Sequence, residues 1–96
     1  MDDFSTFITF SVTWVGQINE ERQQRITSKI EQALTEKVWK KTTHQNVFGT
    51  TFRTLPDTLL SEAKKNLGRV AKHYRSEAAI TLRVYTDIWT SGTEKL

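Results

Sequence analysis

Between residues 4 and 15 apolar and polar side chains alternate. Ile8, Phe10, Val12 and Trp14 fall on one side of an extended chain, and Phe7, Thr9, Ser11, Thr13 and Val15 on the other. Period two, in a stretch rich in threonine, valine and aromatics, predicts a β-strand with one buried face. The rhythm then changes. From Asn19 to Lys37 the apolar positions recur at helical spacing, with Ile26, Ile30, Ala33, Leu34 and Val38 on one stripe. Asn19 suits the N-cap, and Glu20 and Glu21 complement the positive end of the helix.

Residues 38–42 and 47–55 predict two extended arms of a hairpin around the polar turn Thr43-His44-Gln45-Asn46, with Phe48 and Phe52 pointing inward. Gly49 within the second arm signals a bulge or a close approach. A second helix is expected over residues 55–76. Thr54 and Asp57 stand as a variant capping box, Pro56 fits the first turn, and Leu59, Leu60, Ala63, Leu67, Val70, Ala71 and Tyr74 form the stripe. Gly68 costs about 1 kcal/mol against alanine in mid-helix, and close packing of helix on sheet is the compensation expected. In residues 79–89, Ile80, Leu82, Val84, Thr86 and Ile88 alternate with Thr81, Arg83, Tyr85, Asp87 and Trp89, which predicts the last strand. The polar tail from about residue 90 should fray.

The order β-α-β-β-α-β predicts an α+β, ferredoxin-like sandwich: a four-stranded antiparallel sheet with two helices on one face. Strands one and three would be central, and strands two and four would be edges. The face without helices would present Phe7, Thr9, Ser11 and Thr13, then Gly49, Thr51 and Arg53, and the Thr81-to-Trp89 set. A chain of 96 residues makes one domain, spanning 1–96.

Composition narrows the function. With no cysteine there are no disulfides and no thiolate metal sites. No apolar run approaches the roughly 20 residues of a membrane span. The start, Met1-Asp2-Asp3, is acidic and unlike a signal peptide, so a cytoplasmic protein away from membranes is expected. The net charge of +3 is unevenly distributed: residues 37–75 carry +7, the segment before them −3, and the segment after them −1. A block that basic favours an acidic partner. It comprises Lys37, Lys40 and Lys41 near the second strand, and Lys64, Lys65, Arg69, Lys72 and Arg75 on or beside the second helix. Lys65, Arg69 and Lys72 are spaced to form one helical ridge, which suits phosphates but also suits a plain solvated surface.

Catalytic signatures are missing. There is no Gly-x-Ser-x-Gly elbow and no phosphate-cradling glycine loop. His44 and His73 come from different elements with no partner at metal-ligand spacing. No catalytic residue, metal or cofactor is assigned. Phe7, Arg83, Tyr85 and Trp89 form an aromatic group that fits a protein interface better than a base-stacking surface. The strand-three stretch 45–52 also lacks the basic start and aromatic spacing of RNA-recognition motifs.

In length, element order and basic second helix, the chain resembles the small ferredoxin-like proteins of bacterial toxin–antitoxin and defence systems. The GhoS-like antitoxin endoribonucleases are one such group, and the dimeric nuclease-fold subunit of CRISPR adaptation complexes is another. The likeness covers residues 4–89 and is carried by Phe7-Ile8-Thr9-Phe10-Ser11-Val12, the 47–52 arm and the 63–84 passage from helix to strand. The CRISPR family ends strand one with an aspartate, where this chain reads Thr13-Trp14-Val15-Gly16. No catalytic residue is carried over.

The expectation is a non-catalytic binding module. It would homodimerise through the open sheet or strand four and engage an acidic partner, RNA or DNA, through the basic helix. The alternatives are an accessory factor that docks another protein, and a metal-independent endoribonuclease using His44 or His73 as base.

Overall fold

A computed structural model of the chain describes residues 4–44, 46–51 and 54–96. The expected places of Asp2, Asp3, Gln45, Phe52 and Arg53 lie outside them. Strand β1 (Thr6–Trp14) leads to helix α1 (Glu20–Thr35), followed by β2 (Lys40–Lys41) and β3 (Val47–Thr50). Helix α2 (Pro56–His73), β4 (Ala78–Tyr85) and β5 (Glu94–Lys95) complete the chain. All neighbouring strands are antiparallel, in the order β2-β3-β1-β4-β5. The molecule is therefore an α+β protein with two helices and a five-stranded sheet.

The alternation of β1 and β4 holds. Ile8, Phe10, Ile80, Leu82 and Val84 are buried in one cluster with Ile26, Ile30 and Leu34 of α1 and Leu59, Ala63, Leu67 and Ala71 of α2. One cluster fed by both helices puts them on the same side of the sheet. Asn19 caps α1, its Oδ1 accepting from the Arg22 amide at 2.8 Å. Arg22 then donates Nε and Nη2 to the two oxygens of Glu77 at 2.7 and 2.8 Å. This clamp ties the start of α1 to the turn between α2 and β4.

Five expectations are corrected. The sheet has five strands, because the chain reverses after Tyr85 instead of continuing to Trp89. The Thr86 amide donates to the Trp89 carbonyl at 2.7 Å, and the Thr86 hydroxyl accepts from the amides of Ile88 and Trp89. A threonine that reads as strand by period is here the hydroxyl of a turn, and Ile88 stands 97% exposed at its tip. The tail beyond 90 does not fray: Ser91 exchanges bonds with Val84, and the Leu96 amide donates to Ile80. The first helix ends before Val38, so the helical stripe stops there. Val38 is exposed and Trp39 enters the core. The capping box at Thr54 is absent, since Leu55 is the N-cap without a side-chain bond and Pro56 starts the helix. Finally, nothing lies within 4 Å of a Cβ built on Gly68, so close packing does not explain that glycine.

Candidate functional site

Two surfaces carry the residues that the sequence singles out, and they lie on opposite sides of the sheet. The first is the outward side of α2. Lys65, Arg69, Lys72 and Arg75 are exposed, and among the described residues none has a carboxylate within salt-bridge distance. Arg69 and His73 face Lys29, Gln32 and Glu36 of α1 across a shallow groove of about 390 Å³. His73 packs edge-on against Tyr74, ring centroids 4.6 Å apart. Lys64 turns the other way and meets Glu94 of β5 at 3.7 Å. Lys41 is occupied by Glu31 of α1 at 3.5 Å, while Lys37 and Lys40 are exposed at the β2 side. The basic positions thus divide into a free group on α2 and a partly neutralised one at the sheet edges.

The second surface is the sheet face without helices. Cross-strand register aligns Lys40, Gly49, Phe7 and Tyr85 in one row, continued by the bridge from Tyr85 to Thr90. Directly opposed residues share a face. Phe7 and Tyr85 stack at 5.4 Å, and Phe4 meets Phe7 edge-on at 6.0 Å. The next row holds Val47, Thr9 and Arg83. Arg83 is exposed and its Nη2 donates to Thr93 Oγ1 at 3.2 Å; it makes no bond to Asp87 among the described residues. Ser11, Thr81 and Lys95 follow, the two hydroxyls bonded to each other.

Of the expected interface group, Phe7, Arg83 and Tyr85 lie on this face, but Trp89 does not continue a strand there. It sits in the 86–90 turn, half-buried against the core, and only borders the hollow beside Arg83 and Tyr85. Phe4 and His44 join the face unannounced. With Phe7, Val47 and Tyr85 they line a concavity of about 760 Å³. Alternation would put Phe4 with Thr6 and Ile8 on the helix side, but the strand begins only at Thr6. The missing Cβ of Gly49 leaves room for the Phe4 ring, which supplies a reason for the glycine. That glycine is the one sequence signal that points to Phe4.

Titration is perturbed at the Arg22–Glu77 clamp. The guanidinium bond holds the Glu77 carboxyl below its ordinary value, and Glu77 raises Arg22 in return. Arg22 also lies over the Tyr74 ring at 5.4 Å, so the clamp borders the groove beside Arg69 and His73, and its role is to hold α1 against the turn before β4. Among the described residues no group of three or more histidine, aspartate or glutamate side chains could hold a metal ion, and no helix is long and apolar enough to cross a membrane. No family model, curated protein or solved structure matches the chain.

Proposed function

We propose that this chain is a non-catalytic binding module, a ferredoxin-like βαββαβ unit with a fifth strand added, that engages nucleic acid through α2. The order β2-β3-β1-β4 beneath two helices on one side supports the fold reading. One observation carries the functional one: the four cations Lys65, Arg69, Lys72 and Arg75 project from one helix and its C-terminal end with no carboxylate partner among the described residues. Uncompensated cations on a convex helix suit a polyanion, because each phosphate neutralised releases condensed counterions. Cations predominate there, with exposed Glu62 one turn before Lys65 and Glu36 across the groove from Arg69 as acidic neighbours among the described residues.

The test is binding of labelled duplex DNA and RNA across a salt series. Binding that weakens linearly in the logarithm of salt, and is lost in the Lys65→Glu/Arg69→Glu variant, supports the assignment. No binding at low salt, or unchanged binding by the variant, rejects it. Homodimerisation through β4 would require a free edge, and β5 occupies that edge. Of the two routes to a homodimer, β4 or the open face, this favours the open face.

A further inference from the structure

The open face brings rings and cations into adjoining cross-strand rows, and we propose that it binds single-stranded nucleic acid, with unpaired bases stacking on Phe4, Phe7 and Tyr85 and phosphates meeting Lys40 and Arg83. This site is separate from the α2 surface and does not depend on it.

Register supplies the geometry. Lys40, Gly49, Phe7 and Tyr85 sit on four consecutive strands. Strands are spaced about 4.8 Å apart, so the row spans roughly 14 Å. Aromatic side chains on a sheet face can stack unpaired bases, and Phe4, Phe7 and Tyr85 are partly exposed here. Tyr85 stands between two hollows of about 760 and 560 Å³, the second floored by Thr9 and Arg83. Both volumes fall within the roughly 300–1,000 Å³ of ligand sites. Phe7 and Tyr85 already stack on each other, and Tyr85 lines both hollows, so an unpaired base entering one of them can extend the stack, whereas a base within a duplex has no free face to offer.

Charge selects the occupant. Lys40, Arg83 and Lys95 share this face by register, and among the described residues the acidic side chain beside them is Asp87 in the 86–90 turn. Among the described residues Lys40 and Lys95 have no ion pair, and the side-chain bond Arg83 makes is to a threonine hydroxyl. A second copy of the chain fits this poorly. A two-fold contact sets one patch against itself, so lysine and arginine would face the same cations. A polyanion with exposed rings is complementary in both respects.

The experiment uses the full chain and two fluorescein-labelled probes, a ten-nucleotide oligothymidylate and a hairpin duplex, at fixed salt. The oligothymidylate is expected to lose at least fivefold in affinity for Tyr85→Ala, the lower end of base–aromatic stacking, while duplex affinity stays unchanged. Arg83→Glu, which alters an exposed side chain, should weaken the same probe if Tyr85→Ala compromises folding. Lys65→Glu/Arg69→Glu reports on α2 separately through the duplex. Unchanged oligothymidylate binding by both Tyr85→Ala and Arg83→Glu overturns the proposal. So does a dimer in light scattering that Tyr85→Ala converts to monomer, because the face would then belong to a second copy.

Discussion

A Cβ added at position 49 would lie 2.5 Å from Cγ of Phe4, whereas one added at position 68 meets no atom within 4 Å. The same substitution should therefore have opposite signs. Gly68→Ala removes a mid-helix glycine without a clash and should stabilise by about 1 kcal/mol. For a domain of this size that raises Tm by about 4–8 °C. Gly49→Ala must push the Phe4 ring aside and should cost about 1–3 kcal/mol, the range for overpacking. A Phe4→Ala background should remove much of that cost, so the double mutant will be non-additive. Thermal melts of the four variants decide both points, and a Gly49→Ala protein as stable as the parent would show that Phe4 does not rest there. The glycine at 49 was readable as a close approach, but its partner was not. Strand period says nothing about a residue that precedes the strand. Trp39 escaped for a related reason: a helical stripe extended to Val38 hides the switch to an extended backbone, which places the next residue inside.

The elements that alternation or helical spacing defines over eight or more residues are those the chain declares openly, namely β1, α1, α2 and β4. What stayed hidden is held by a few polar bonds that no periodicity reports. β5 is two residues long and returns through a turn organised by the Thr86 hydroxyl, with no Asn-Gly or Asp-Gly to announce it. Ser91 secures the return, its Oγ accepting from the amide of fully buried Val84 at 3.0 Å. Ser91→Ala leaves that amide without the acceptor and should cost about 1–3 kcal/mol in chemical denaturation; a loss below a few tenths would mean that the backbone bonds of the return suffice to hold β5. The Arg22–Glu77 clamp joins elements 55 residues apart and was equally invisible. Its consequence is a pH dependence with a defined sign. Glu77 titrates below its ordinary 4.5 when folded, so its contribution is complete above that value and is lost as pH falls through the lower, folded one. Arg22 stays charged throughout. Glu77→Gln should therefore melt below the parent at pH 7, and the difference should shrink toward pH 3. A gap that is constant between pH 3 and 7 would remove the ion pair from the account.

Across the molecule, the charge block visible in the sequence falls mainly on α2, while the open face combines Lys40 from that block with Arg83 and Lys95 from beyond it. β2 and β5, each two residues long, end the sheet with Lys40-Lys41 and Glu94-Lys95. Short, charged edge strands of this kind discourage pairing between sheets. With both edge strands short and charged and the open face positively charged, light scattering at low salt should find a monomer. The two surfaces should also answer salt differently. Lys65, Arg69 and Lys72 would act on duplex DNA as point charges, and each removed should lower the slope of log affinity against log salt by about 0.9. Tyr85 carries no charge, so Tyr85→Ala should lower single-strand affinity with its slope unaltered. Measuring both variants from 50 to 200 mM salt separates phosphate contact from stacking. If Tyr85→Ala flattens the slope, the ring acts by positioning cations and not by holding a base; if Arg69→Ala leaves the duplex slope intact, α2 is a solvated helix and the open face is the binding surface that remains.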